Sequence, residues 1–400
     1  MKAFVKIVSM LLVLLTVLSL CACTKKEEPE KNEWVSASVS REGAISDTGY
    51  YYLNNRNLLH YVDFESGTNV CLCSKAGCTH DGDGCEAEIP GNLGVLSTMF
   101  FWNGGIYFTS IDEYGRGLYR RNADGTGQSK VVTLCEKYMK EDSEIDVNAL
   151  GFTVAGNYVY YYTEIRAVVK EGNVGTYQTV LGALLRVDLR TGKEEVVVEN
   201  RDYQKNKRLS PIAVRNDSAI YAVTSYPDVE YGAENYDELL NQSPVQVLQW
   251  SAETGESKVL LEKTRKELGS TITCYGGNLY CRPDDNQYSI DLETGTLKKV
   301  VENGSLYEFN ADFALLFDDT NGKRPIKNLK TGELLPNEYE GYWLQVKGYT
   351  DDMLILTYIV EYEDRSKDEY FTFISVESLA DGLQKEDAAE FYVRHMTSYN

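Results

Sequence analysis

Residues 156–164 read GNYVYYYTE, residues 184–189 read LLRVDL, and Arg190-Thr191-Gly192 leads into 194–199, EEVVVE. The alternation Leu185-Arg186-Val187-Asp188-Leu189 marks a half-buried strand, with successive side chains on opposite faces. Thr191-Gly192 supplies the residue tolerant of positive φ that a tight turn requires. An aromatic strand, an alternating strand, a glycine turn and a third apolar strand therefore follow one another, and Ala149 to Val154 places a fourth apolar stretch ahead of them.

The same order recurs along the chain. Copies begin at TGYYYL (48–53), GGIYFTS (104–110), DSAIYAVTS (217–225), GGNLYC (276–281), ADFALLF (311–317) and DDMLILTYIV (351–360). The turn glycines are Gly67, Gly125, Gly192, Gly255, Gly295 and Gly332, with a degenerate seventh ending near Gly382. Apolar stretches such as Trp34 to Val39 and Gly94 to Phe101 precede their copies and are read as the remaining strand, giving four per unit. Intervals near 40 residues match one four-stranded propeller blade, and the longer ones are blades with insertions. The expected fold is all-β, a β-propeller of four-stranded antiparallel blades. Seven blades are expected, with six or eight left open and two stacked β-sandwiches as the competing architecture. Radial closure leaves few exposed strand edges.

The segment Leu118-Tyr119-Arg120-Arg121-Asn122 with ADGTG after it resembles the repeats of TolB-type propellers. Residues 34–400 as a whole are similar to the propeller lipoproteins of Gram-positive anaerobes. The resemblance to TolB-type repeats implies a role in docking an envelope partner.

The first thirty residues carry an address. Lys2 and Lys6 precede an apolar run, Ile7 to Leu20, too short for a comfortable membrane span. This is the form of a secretory signal. Leu20-Cys21-Ala22-Cys23 resembles a bacterial lipobox, which implies cleavage after Ala22 and lipid on Cys23. Ordinary secretion with cleavage at the same bond is the alternative. The organisation expected is a signal peptide over 1–22, a polar tether over 23–33 and the propeller over 34–400. Several acyl chains on one residue give the two-signal anchoring that a single chain cannot.

Composition limits the partners. The formal charge of −21 moves to about −23 once residues 1–22 are gone. Such a chain is repelled by nucleic acid and by anionic surfaces. The remaining ~375 residues exceed one hydrophobic core, as a repeat array allows. A monomer is expected.

One segment is chemically distinctive. Cys73, Cys78, His80 and Cys85 form C-x4-C-x-H-x4-C in a glycine-rich loop. Thiolates and imidazole at such spacing suit tetrahedral Zn²⁺. One or two disulfides, natural for an exported protein, are the second reading, and reduced thiols the third. Cys274 and Cys281 are expected as two buried small apolar residues, or opposite one another across a Gly277-Asn278 turn.

In a blade with strands A to D, the B–C loop and the link to the next blade emerge on one face. The expected insertions, 165–182, 226–244 and 361–369, fall there, and so do the links 74–90 and 135–147. Function sits on loops held by a rigid scaffold. Tyr226, Tyr231 and Tyr236 recur in the acidic second insertion. They are candidates for stacking on a sugar or a cationic group, against the plainer role of packing the insertion.

Catalytic motifs are missing. Three histidines, His60, His80 and His395, leave little for nucleophilic triads, and neither G-x-S-x-G nor H-E-x-x-H occurs. The sequence therefore favours a non-catalytic module that binds a glycan, a peptide or an envelope protein through one face. The alternative is a carbohydrate- or peptide-hydrolysing enzyme with two carboxylates in the central funnel.

Overall fold

The computed structural model describes residues 34–37, 43–81, 84–89, 98–113, 115–141, 145–171, 174–202, 206–229, 232–275, 277–308, 312–318, 324–339, 342–362 and 364–396. The expected signal and tether, Cys23 and Tyr231 lie outside the described residues.

Seven antiparallel sheets of consecutive strands follow one another over residues 43–71, 99–133, 145–200, 207–264, 272–301, 304–335 and 343–396, forming a seven-bladed β-propeller. Each blade takes its four strands, A to D, from its own stretch of chain. Apolar clusters fill every seam between neighbouring blades. Phe100, Tyr107 and Leu118 of blade 2 pack on Val159, Tyr161 and Leu185 of blade 3. Tyr160 and Leu184 of blade 3 meet Val214, Ala219 and Trp250 of blade 4. The core of the fold is thus a circle of inter-blade layers. Alternation along each strand gives both of its faces a neighbour to pack against.

Five of the seven C–D turns share one geometry. Gly67, Gly192, Gly255, Gly295 and Gly332 have φ between 67° and 77°, and each donates its N–H to the carbonyl four residues earlier. Asp63, Asp188, Asp291 and Asn328 open four of these turns, and their side chains accept backbone N–H groups within the turn. The glycine supplies the left-handed residue and the Asx side chain satisfies the donors that the turn leaves over.

The ring shuts without strand exchange. Blade 7 meets blade 1 through Ile355 and Phe373 against Tyr50, Tyr52 and Val62, with Phe391 and Tyr392 beside them. Asn69 donates to the Phe391 carbonyl at 2.8 Å, and the Tyr392 hydroxyl accepts the Asn55 N–H at 3.0 Å.

The structure departs from the sequence reading in four places. Trp34 to Val39 does not supply the inner strand of blade 1, which is Gly43–Ile45. Instead β1, Val35–Ser36, adds antiparallel to the inner edge of strand A of blade 4, Lys207–Arg215, as a fifth strand. Ala37 continues it, donating to the Ile212 carbonyl at 3.0 Å. The alternation that makes a good inner strand serves equally well on any free inner edge, so the pattern alone does not choose the blade.

The expected loop over 165–182 is mostly strand. Strands B and C of blade 3, Tyr158–Glu171 and Val174–Asp188, stay paired to Glu171↔Val174. They form a ribbon reaching about four residues, or ~13 Å, beyond strand A and further beyond strand D. The expected loop over 361–369 likewise shrinks to a short hairpin between Met353–Glu361 and Lys367–Ser375. Cys274 sits opposite Leu279, and Cys281 opposite Ile272, because Tyr275↔Asn278 closes the hairpin one residue earlier than expected. Both thiols are buried in the core between blades 4 and 5.

Among the described residues three short α-helices lie in the connections: α1 (Glu136–Glu141), α2 (Tyr236–Gln242) and α3 (Arg265–Leu268). Among the described residues no helix is long and apolar enough to cross a membrane. Helix α1 docks on blade 3 through Glu199, whose carboxylate accepts from Lys137 and from the Tyr138 hydroxyl, both at 2.7 Å. Burial alone would raise the Glu199 carboxyl, but these donors and Arg201 bring it down to about 2. A depressed carboxyl contributes stability above its unfolded value and loses it as pH falls towards the folded one. Backbone amide protection in α1 is therefore expected to fall between about pH 4.5 and pH 2 in hydrogen exchange. Glu199→Gln should remove that dependence.

Candidate functional site

Cys73, Cys78, His80 and Cys85 come together just past strand D of blade 1, on the link to blade 2. Their ligand atoms all lie within 4.8 Å of one another. Cys85 is buried, and the others are half-buried. Several features fold the loop into this form. Gly77, His80 and Gly84 take positive φ (71°, 53° and 75°), turning the chain back on itself. Lys75 bonds the Gly84 carbonyl at 2.9 Å and Ser74 bonds Glu86 at 2.6 Å, closing its two limbs.

The loop is then fixed to the ring. Leu59 donates to the Ala87 carbonyl and Ile89 to the Asn57 carbonyl, continuing the ladder of blade 1. Buried Arg121 of blade 2 reaches across, donating to the carbonyls of Glu86 (2.9 Å) and Glu88 (2.6 Å) and to Gln128. Leu58, Cys85 and Ala87 form a small core beneath, with Cys71 packed beside it.

The sulfurs sit in a donor-rich cage. Burial raises the Cys73 thiol, but the backbone N–H groups of Lys75 and Glu86 outweigh it and bring the thiol down to about 6. Burial pushes Cys85 the other way, to about 12, although the Ala87 N–H points at it. The His80 Nδ1 stands 3.5 Å from the Cys85 sulfur. Zn–S bonds of about 2.3 Å place tetrahedral sulfurs roughly 3.7 Å apart, so a small contraction of this cluster fits a metal. Peptide N–H groups aimed at sulfur are the outer-shell contacts that favour bound thiolates.

A second feature lies on the same face, between blades 3 and 4. A cavity of ≈ 630 Å³ is lined by Tyr162 and Glu164 of blade 3, Asn206 and Arg208 at the entry to blade 4, and Tyr226 and Tyr236 of the insertion. The structure thus brings two of the three candidate tyrosines to one cavity. Tyr226 follows directly on strand B, its N–H held by the Asn206 carbonyl at 2.7 Å. Its ring is flanked by two guanidiniums, Arg208 at 6.0 Å and Arg265 at 5.6 Å from the centroid. Tyr236 begins α2, and the capping box of Thr264 and Glu267 places α3, and with it Arg265, against the insertion. Sequence reasoning missed Glu164, Asn206 and Arg208. Asn206 and Arg208 reach the insertion through the pairing of strands A and B within blade 4, and Glu164 through the packing of blade 3 on blade 4.

The histidines stand apart. His60 bonds Asn54 and Asn69 within blade 1, and burial lowers its pKa. His395 pairs with Asp368 at 2.8 Å on blade 7. The inner strands, which line the ring's axis, carry only Asp146 and Glu308 as acids. These lie near the start and at the end of their respective strands, hence towards opposite faces.

No family model matches the chain, and no curated protein does. Among solved structures it is similar to a puromycin-hydrolysing peptidase of Mycobacterium tuberculosis, at 11% identity and a TM-score of 0.49, over 93% of this chain and 57% of that one. It is similar to an acylaminoacyl peptidase of Pyrococcus horikoshii, at 13% and 0.48, over 90% of this chain and 52% of that one. A third similarity, at 10% and 0.37, is to a nidogen/laminin complex, over 72% of this chain and 92% of that one. The chain thus spans little more than half the length of the two peptidases, and no residue role is carried over from any of the three.

Proposed function

We propose that the chain is an exported lipoprotein, anchored through Cys23, whose propeller is a non-catalytic binding module for an oligosaccharide. One observation carries this reading: the cavity between blades 3 and 4, where Tyr226 and Tyr236 meet Glu164, Asn206 and Arg208. Aromatic faces beside a few polar groups are what a sugar ring needs, an apolar face to stack and hydroxyls to satisfy. The scarcity of inner-strand acids and their separation towards opposite faces favour binding over paired-carboxylate hydrolysis at the axis.

Calorimetric titration against a panel of neutral and acidic oligosaccharides tests this. Tyr226→Ala is expected to weaken the best ligand by roughly tenfold or more. No binding across the panel, or binding indifferent to both Tyr226→Ala and Glu164→Gln, would reject the assignment.

The cluster of Cys73, Cys78, His80 and Cys85 is proposed to hold Zn²⁺. All four ligands come from one short loop and close the coordination sphere, which suits a structural role. Purified protein is expected to carry about one zinc per chain, and Cys85→Ser to lose it together with protection of the Leu59 and Ile89 amides. Metal-free protein in which Cys71, Cys73, Cys78 and Cys85 are all unreactive would instead establish disulfides.

A further inference from the structure

The path of β1 bears on how the domain is presented. A strands run from the face of the B–C loops and inter-blade links, the insertion face, towards the face of the A–B and C–D turns, the turn face. β1 pairs antiparallel with strand A of blade 4, in the register Val35↔Val214 and Ser36↔Ala213. It therefore rises from the turn face towards the insertion face along the inside of the ring. Trp34 stands at the turn-face end, 4.6 Å from the guanidinium of Arg215, which closes that strand. Ser36 and Ala37 are buried. The Ser36 carbonyl accepts from Thr153 of blade 3, and β1 also contacts strand A of blade 5, Ile272–Tyr275. Three blades grip the segment from within.

We infer that the chain preceding Trp34 leaves the ring at the centre of its turn face. The insertion face, with the cavity and the cysteine loop, is thereby turned away from the membrane, towards a glycan polymer in the aqueous exterior. The inference rests on the anchoring reading above.

Length weighs against the opposite orientation. Thr24 to Glu33 spans at most ~36 Å fully extended. To bring the insertion face to the membrane, the tether must cross the turn face to the rim, about three strand spacings or ~14 Å beyond the inner strand, and then climb the rim by about eight residues or ~26 Å. At blade 4 that path of ~40 Å uses up the whole tether, and at blade 5, whose outer strand Leu297–Val301 has five residues, it still uses most of it, so the opposite orientation demands a nearly straight chain. Ligands on the far side from the membrane are the ones presented to the cavity.

The experiment places one protease site in the C–D turn of blade 4, replacing 252–255, and another in the blade 7 hairpin, replacing 362–366. The full chain, made with its leader, is reconstituted on phosphatidylcholine vesicles, and cleavage is compared with the same protein in detergent. The insertion-face site is expected to be cut at an unchanged rate, and the turn-face site roughly tenfold more slowly on vesicles. Equal rates at both sites, or slowing at the insertion face alone, would overturn the orientation. Mass analysis of the N-terminal peptide reports lipid on Cys23 separately. A parallel arm replaces residues 1–23 by a decahistidine bound to nickel-chelating lipid. The same asymmetry in that arm with no lipid on Cys23 supports the threading and rejects the anchor; its loss in that arm rejects the threading itself.

Discussion

Glu369→Ala is expected to cost about 3–5 kcal/mol, the usual range for breaking a buried ion pair from one side. Glu369, on strand C of blade 7, is held by Lys347 of strand A at 3.2 Å and by Arg394 of strand D at 3.1 Å. The side chains of Lys347 and Glu369 are only 7% and 6% exposed, so solvent can do little for the ammonium once the carboxylate is gone. Phe371 lies against both cations, Lys347 Nζ at 5.8 Å and the Arg394 guanidinium at 4.9 Å from the ring centroid. The ring's face softens their burial but cannot replace a full charge. An apparent Tm lower by roughly 10 °C is expected for a chain of this size. Replacing Lys347, Glu369 and Arg394 together by Met, Leu and Met should recover most of the loss, because removing every charge removes the desolvation problem too. A single mutant within about 1 kcal/mol of the parent would show that the pair is solvated or matched elsewhere.

Ala37→Asp should have the second large effect, and of a different kind. Ala37 is 3% exposed inside the ring, with its carbonyl against Gly151, so a carboxylate there is buried without a partner of opposite charge in the observed contacts. Such burial costs several kcal/mol. The seven sheets are complete without β1, however, so the loss is capped by the docking energy of that segment. The strand is expected to leave while the ring persists. Limited proteolysis should then cut the variant between residues 30 and 42 and leave the remainder intact, with the far-ultraviolet dichroism of the ring unchanged. Global unfolding at the same protease dose would mean that β1 is integral to the ring. Ala37→Ser should behave like the parent.

The blades were legible because each repeat writes its own turn. Asp188 through Gly192 states the C–D geometry locally, and the strands on either side follow from their alternation. Paired extension of 165–181 was not legible in that way. The stretch contains glycines and charges that read as loop, and only the cross-strand register shows the ladder continuing. The destination of Val35 and Ser36 was hidden for a related reason. A two-residue strand has no private signature, and its partner lies far along the chain, in blade 4. At the cysteine loop the sequence named the ligands, but not the scaffold around them. Arg121, which holds the carbonyls of Glu86 and Glu88, reads as one more charged strand residue until blade 2 is packed on blade 1. The cavity was half-visible for the same reason. The insertion's tyrosines could be read in the sequence, whereas Arg208 acquires meaning only from the strand register of blade 4, and Glu164 only when blade 3 packs on it.

Closure by side-chain packing and a few hydrogen bonds, without a direct chain link, sets the seam between blades 7 and 1 apart from the other six. Every other pair of neighbours is joined by a covalent link, so contacts that open there re-form at the high effective concentration a short connection imposes. Blade 7 and blade 1 are connected only through the whole circuit of the chain. Once Tyr52, Phe391 and Tyr392 part, nothing local holds the two ends in register. This seam is where the circle breathes, and its aromatic contacts act as the clasp that decides how long the ring stays shut.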